Sequence, residues 1–458
     1  MKKQGTSRRD FIRTAVVAGA AGKLLAGARS HAAEAGGAGK GSMAGYAAPK
    51  LDVVRVGLIG VGARGSGHLG DMLRLDGVEV TAIADTHAPS LQRAVDRVVK
   101  AGRPEPAAFG RGERDYRRML ERDDVDIVII STPWRWHEPM AVEAMQAGKH
   151  AFVEVPAALT VEGCWNLVNT SEKTRRHCMM LENVCYGREE LVVLNMCRQG
   201  VFGELLHGEA AYIHDLRGQM HEVKHGTGSW RTPHYARRDG NLYPTHGLGP
   251  VAQYMGINRG DRFLYMSSIG SPALGRKRYA AQHFAPDHKW NRIDTWRCSD
   301  ISTSIIQTAR GRSIMLQWDE TSPRPYTRHN MIQGTRGCWA GFPPRFVAEG
   351  ITGSTHHWTE GDALKPFYET YEHPLWKQMG AEAARVGGHG GMDFLMNWRL
   401  IVCLRNGEPL DQDVYDAAAW SAVGPLSEWS VAHRGRPADI PDFTRGRWES
   451  IPPLEIIS

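Results

Sequence analysis

The chain has 458 residues, 42% hydrophobic and 23% charged, a globular composition with length enough for two domains of ordinary size. The formal charge of +6 is small for that length, and no block of Lys/Arg interleaved with aromatics marks a nucleic-acid surface. Seven cysteines, an odd number with no C-x-x-C pair, argue against a disulfide framework or a zinc site and read as buried free thiols; no metal is expected.

The first residues have the pattern of an export signal. Ser7-Arg8-Arg9-Asp10-Phe11-Ile12 precedes an apolar run, Thr14 to Ala28, too short to span a bilayer, and then small residues at Ser30, Ala32 and Ala33. The paired arginines resemble the twin-arginine signal S-R-R-x-F-[IL]; an ordinary export signal with a chance Arg-Arg is the alternative. The expectation is a signal over residues 1–33, passage through the twin-arginine export machinery, and a periplasmic or secreted product. Residues 34–50, rich in Gly, Ala and Ser, read as a flexible linker. No later segment is long and apolar enough to cross a membrane.

From residue 53 the pattern is α/β. Val53 to Ile59 is a short apolar run with β-branched residues, as in a strand buried on both faces. It leads into Gly60-Val61-Gly62-Ala63-Arg64-Gly65, a G-x-G-x-x-G turn, with a helix expected over Ser66 to Leu75. Gly60 permits the tight turn, Gly62 lets backbone approach a pyrophosphate, and Gly65 permits close helix–strand packing. The helix start then faces the anion with its free N–H groups. A second strand, Val78 to Ala84, ends at Asp85, which can accept from both ribose hydroxyls and would repel a 2′-phosphate. The expected cofactor is therefore NAD; the other role open to Asp85 is a helix cap. Helices over Ala88–Ala101 and Asp115–Arg122, a strand Val125–Ile130, a helix Glu138–Ala147 and a strand His150–Val155 complete the alternation. Ligands in such sheets bind at strand carboxyl ends. The loop Trp134-Arg135-Trp136-His137 and the pair Glu154-Val155 occupy such ends, although an aromatic loop can also pack a domain edge.

These motifs resemble the glucose-fructose oxidoreductase / inositol dehydrogenase (Gfo/Idh/MocA) superfamily, in which a Rossmann domain precedes an α/β domain whose open sheet covers the sugar. Two departures stand out. The superfamily's Glu-Lys-Pro reads Glu154-Val155-Pro156 here, and its Asp four residues before the catalytic His is Leu242. Valine cannot shuttle a proton. Together with Leu181-Glu182-Asn183-Val184-Cys185-Tyr186, Trp230-Arg231-Thr232, Leu242 to Gly247, Arg324-Pro325-Tyr326 and Gly388 to Asp393, these features closely resemble glycoside hydrolase family 109, the NAD-dependent α-N-acetylgalactosaminidases. The likeness runs nearly the full length after the linker.

The resemblance implies a Rossmann domain with a parallel sheet over residues 51–185 and a C-terminal α/β domain with an open, mostly antiparallel sheet over residues 186–458. It implies cofactor contacts at Ala63, Arg64, Asp85, Trp134, Arg135, Trp136, His137, Glu154, Val155 and Asn183, besides Gly60, Gly62 and Gly65 of the turn. Sugar contacts would fall on Tyr212, Arg231, Tyr243, Pro244, Thr245, His246 and Tyr326. Superfamily members commonly associate through the open face of the second sheet, so a homo-oligomer is possible. Within the second domain, a helix is expected over Glu189–Gln199, strands over Leu205–Ile213, Asp300–Ile306, Ser313–Trp318 and Asn330–Thr335, and helices over Met392–Arg405 and Asp413–Ser430 that pack back on the first domain.

The resemblance implies hydrolysis without the usual pair of carboxylates. NAD takes hydride from C3 of the sugar, the resulting ketone acidifies the C2 proton, the C1 group leaves by elimination, water adds, and the hydride returns. His246 is the expected acid/base, assisted by Tyr243, both on one short segment. The sugar and its anomer are read by pocket shape and not by motif. A sugar oxidoreductase with net turnover and a non-catalytic sensor are the competing readings; Val155 disfavours the first, and the His/Tyr cluster the second.

Overall fold

The computed structural model describes residues 41–453. The export signal and the first part of the expected linker therefore lie outside the described residues. Residues 41–50, expected to be flexible, instead lie against the body of the protein. Met43 N–H donates to Tyr415 OH (3.0 Å), Arg175 Nη1 donates to Ser42 O (2.7 Å), and the Arg175 guanidinium lies 4.1 Å over the Tyr46 ring. A methionine and a tyrosine within a run of small residues are enough to anchor it.

The first sheet contains β1 (Val54–Ile59), β2 (Val78–Ala84), β3 (Ala107–Phe109), β4 (Ile127–Ile130), β5 (His150–Val153) and β6 (Cys178–Met180), all parallel, in the order β3-β2-β1-β4-β5-β6. Every residue of β4, β5 and β6 is buried, as strands covered on both faces must be. β5 ends two residues earlier than its apolar run, because Pro156 has no N–H to continue a ladder. Glu154 and Val155 are thereby released into the loop at the carboxyl edge. The helix Val161–Thr174 follows, capped by Thr160, whose Oγ accepts from Gly163 N–H at 2.9 Å. Its buried Cys164, Leu167, Val168 and Ser171 follow helical spacing.

The second sheet has nine strands: β7 (Leu205–Ile213), β8 (Phe263–Gly270), β9 (Ile301–Thr308), β10 (Ser313–Asp319), β11 (Met331–Gly334), β12 (Gly337–Ala340), β13 (Arg345–Ala348), β14 (Thr359–Glu360) and β15 (Ala438–Asp439). Their order is β14-β13-β12-β11-β7-β10-β9-β8-β15, antiparallel except for β7 with β10. Residues alternate in and out along β9, with Ser302, Ser304 and Ile306 buried and Ile305 exposed. The helix Thr245–Tyr254 covers the inner face at β7.

Two C-terminal helices join the halves. Met392–Asn406 packs on the glycine-turn helix Ala63–Met72. Val414–Ala432 starts with a reciprocal capping box between Asp413 and Asp416 and lies against both the helix Val161–Thr174 and β8. Three of its serines accept backbone N–H groups from separate segments: Ser421 from Ala157 (3.0 Å), Ser427 from Asn241 (2.8 Å) and Ser430 from Ser268 (2.9 Å). Trp420 is fully buried beneath this junction. Trp420→Ala should lower stability by about 3–5 kcal/mol, the usual cost of emptying a large aromatic site. Calorimetry should show both halves unfolding earlier and in one transition; loss confined to one half would show that the helix does not couple them.

Candidate active site

The glycine turn is built as the motif requires. Gly60 has φ of +84°, and a Cβ on Gly65 would stand 1.9 Å from Gly60 O, so neither position tolerates a side chain without opening the turn. The helix Ala63–Met72 begins directly after Gly62, three residues before the apolar pattern suggests, and no side chain caps it. Its first N–H groups are thus left for an anion. Asp85 is held at the carboxyl end of β2 by two backbone donors and does not cap the next helix. Its oxygens accept from Val61 N–H (2.8 Å) and His87 N–H (2.7 Å), holding the turn, and the carboxylate remains partly exposed with lone pairs to spare.

The strand ends beyond the turn carry unpaired polar groups. Among the described residues, Asn183 Oδ1, Ser131 Oγ and Trp134 Nε1 are buried with no hydrogen-bond partner, at or near the carboxyl ends of β4 and β6. Buried polar atoms left unpaired at these strand ends are what hydrogen-bonding groups of a bound cofactor would satisfy. Asn183 Nδ2 is meanwhile fixed by Asp393 Oδ1 at 2.6 Å.

Several expected cofactor residues have side chains committed elsewhere. Arg64 binds Glu154 Oε1 through Nε (2.9 Å) and Asp393 Oδ2 through Nη1 (3.0 Å), and His68 Nε2 lies 2.9 Å from the same Glu154 oxygen. His137 has both ring nitrogens 2.7 Å from carbonyl oxygens, of Pro156 and Thr132, and ties the β4 loop to the β5 loop. Arg135 points outward to Glu113 at 2.7 Å. Trp136 lies under Arg135 at 5.5 Å. The Arg64 and Glu154 side chains are thus held chiefly by the protein, whereas Val155, 3% exposed, presents an apolar wall.

The sugar-side residues converge. His246 and Thr245 open the helix Thr245–Tyr254 after Pro244, so His246 is no turn residue; its ring stands beside Tyr243 (ring centroids 4.8 Å) and Tyr212 (5.3 Å). Gly247 allows this: a Cβ there would lie 2.4 Å from Ala211 N, so the helix start can lie flush on β7. Arg231 sits 5.0 Å from both the Trp134 and Tyr243 rings, and its buried Nε has no partner among the described residues. Tyr326 is half exposed, 6.2 Å from Tyr212, with its hydroxyl accepting from Arg328 Nη1 at 2.8 Å. Thr245 is fully buried beneath.

Glu182 is the residue that spacing alone did not single out, although its motif was in view. It follows β6, is fully buried, and its Oε1 lies 2.7 Å from His246 Nδ1. Tyr243 OH lies 3.3 Å from His246 Nε2. A carboxylate on Nδ1 favours the tautomer with the proton there, inferred from its partners, and leaves the Nε2 lone pair for chemistry. Burial pushes the Tyr243 hydroxyl well above its ordinary range, outweighing Arg231, so it stays protonated at neutral pH. The chain Glu182–His246–Tyr243 is thus a base with an oriented imidazole and a neighbouring hydroxyl donor. Trp230 and His234, from the helix Thr227–Arg237, complete the wall around Trp134 at 5.2 Å each.

A Rossmann sheet whose carboxyl edge is closed by a mixed open sheet is the architecture of the Gfo/Idh/MocA oxidoreductase class, and residues 54–182 match its family, described as the oxidoreductase family with NAD-binding Rossmann fold. An oxidoreductase domain protein from Kribbella flavida superimposes with a TM-score of 0.66 at 18% identity over 86% of this chain and 100% of that one. Levoglucosan dehydrogenase in complex with NADH does so with 0.64 at 17% identity over 85% and 99%. The first domain binds NAD. The chain belongs to glycosyl hydrolase family 109: residues 186–450 match the family's C-terminal domain. A family 109 protein of Shewanella baltica (strain OS185) is 58% identical over 455 residues, 98% of each chain, and one of Shewanella putrefaciens (strain CN-32) is 60% identical over 417, covering 91% and 90%. The protein is a glycoside hydrolase.

Glu154 and Asp393 carry a pH signature. Burial pushes both carboxyls up, but Arg64 and the neighbouring histidines outweigh it, and both sit well below the usual range. Carboxylates depressed by folding stabilise the native state above their unfolded pKa of about 4, and that stabilisation drains away as pH falls below it. Wild-type stability should therefore drop steeply with acid below about pH 4, and Glu154→Gln should be less stable at neutral pH with a shallower acid limb. Urea unfolding at several pH values reads both; parallel curves would exclude Glu154 as a source of the slope.

Proposed function

We propose that the protein releases terminal α-linked N-acetylgalactosamine by oxidation, elimination, addition and reduction with no net redox change. The observation that supports this most directly is the Glu182–His246–Tyr243 chain at the carboxyl edge of the NAD-binding sheet, with Val155 where a dehydrogenase would offer a lysine. Bound NAD supplies a hydride acceptor and the same hydride in return, so nothing is consumed. His246 Nε2 takes the C3 hydroxyl proton to solvent as the hydride leaves C3. It then moves the C2 proton of the resulting ketone to the departing C1 oxygen, while Glu182 holds Nδ1–H and stabilises the imidazolium. Water adding at C1 supplies the proton returned to C2, and a solvent proton joins the C3 oxygen as the hydride returns. The Tyr243 hydroxyl donates to the sugar oxygen beside it. Arg231 offers its unpaired Nε–H to the acetamido or ring oxygens, and Tyr212 and Tyr326 supply ring faces and hydroxyls.

Purified protein incubated with p-nitrophenyl α-N-acetylgalactosaminide should release chromophore without added NAD. His246→Ala should abolish release, and Glu182→Gln should lower kcat by about 10²–10⁴-fold, as for loss of a carboxylate that orients a catalytic histidine. Steady NADH formation from free sugars without chromophore release would overturn the reading in favour of a sugar oxidoreductase.

We also propose that residues 1–33 send the folded protein through the twin-arginine route to the periplasm, which suits a cofactor loaded before export. Support comes from Ser7 to Ile12 and the apolar run behind them. Replacing Arg8 and Arg9 by lysine should leave the protein in the cytoplasmic fraction; undiminished periplasmic protein would refute the route.

A further inference from the structure

Past Tyr326 the second domain holds a cavity of about 500 Å³ that the chemistry above does not use. It lies on the outer face of the second sheet, floored by β7, β11, β12 and β13 and walled by Arg324, Tyr326, Phe342 and Trp358. Three aromatic rings line it while remaining open to solvent: Tyr326 is 39% exposed, Phe342 38% and Trp358 43%. Exposed rings of this size converging on one concavity ask for a ligand.

The polar groups narrow its chemistry. Glu209 on β7 and Arg345 on β13 both face the cavity, yet neither takes part in a salt bridge or side-chain hydrogen bond among the described residues. The Arg345 guanidinium lies 5.1 Å over the Trp358 ring, with its Nε buried and unpartnered. One free acceptor and one free donor suit a ligand whose groups both give and take hydrogen bonds, as hydroxyls do. Aromatic faces suit the apolar C–H face of a pyranose. A polyanion would need several cations and no carboxylate, and a purely apolar ligand would leave both charges unpaired.

Tyr326, on the cavity wall, is also a neighbour of the His246 cluster. From His246 the rings run to Tyr212 (5.3 Å), to Tyr326 (6.2 Å) and to Phe342 (5.8 Å), steps comparable with a sugar unit. We propose that this cavity is a subsite for the leaving-group portion of an oligosaccharide substrate, with Trp358, Phe342, Arg345 and Glu209 holding the sugars behind the one that is released. This rests on the glycosidase reading above and names its substrate class: a terminal sugar carried on a glycan, with Tyr326 shared between the two sites.

Trp358→Ala and Arg345→Met test it without touching the catalytic residues. On the aryl monoglycoside both should retain wild-type kcat/KM. On a tetrasaccharide with the same terminal sugar, each should lose about tenfold or more, carried by KM. Equal losses on both substrates, or none on either, would overturn the subsite. Calorimetric titration of the trisaccharide that remains after cleavage decides the point independently of catalysis. Saturable binding to wild type that Trp358→Ala abolishes supports the subsite even if neither glycoside is hydrolysed, an outcome that would sink the proposed activity alone. No binding to wild type overturns it.

Discussion

The remaining architecture rests on the ion pairs that Arg64 makes across the two halves of the molecule. The arginine leaves the glycine turn, reaches Glu154 at the end of β5 and continues to Asp393 at the start of a C-terminal helix. Buried charges of this kind are costly unless each is paired, and here each is: His68 joins Glu154, Asn183 joins Asp393, and Asn397 donates to Asp71 at 2.8 Å. Removing Arg64 would leave Glu154 with His68 and Asp393 with Asn183 and His389, so the arrangement leans on that one guanidinium. Its consequence is geometric. The helix Met392–Asn406 is held on the cofactor turn, and the chain that follows carries Gln412, which donates to Glu182 O at 3.1 Å.

That geometry explains how the proposed catalytic centre can be split between domains. Glu182 comes from the carboxyl end of the first sheet, His246 and Tyr243 from the second domain, and 2.7 Å separates carboxylate from imidazole. A contact so short requires the two domains to meet in register at this point. Val414–Ala432 reinforces it, since its serines take N–H groups from the β5 loop, from the segment before Tyr243 and from β8. The site is preorganised by helices that never touch a sugar.

Much of this was legible in the residues. The alternation through β5, the turn at Gly60 to Gly65, and strands β7, β9, β10 and β11 follow from apolar period and turn chemistry, which act within a few residues. So does the capped helix after Asp413. Other elements left weak marks. β3 and β6 are three residues each, too short for a period to declare itself, and β8 mixes exposed Ile269 with buried Met266 on one of the sheet's outer strands. The helix Val161–Thr174 had its cap and its spacing, and could have been found.

By itself the sequence determined the NAD-binding turn, four of the first sheet's strands, and, by resemblance, a family in which Val155 replaces a proton-carrying lysine. Only the tertiary structure decided that Arg64, Glu154 and His137 spend their side chains on the protein itself, and that Glu182 is the partner of His246. It also decided that Arg345 and Glu209, 136 residues apart, face one cavity unpaired. The reason is range. Turn and period are local, whereas the partner of a buried charge is set by whichever distant segment packing brings within three Å or so of it.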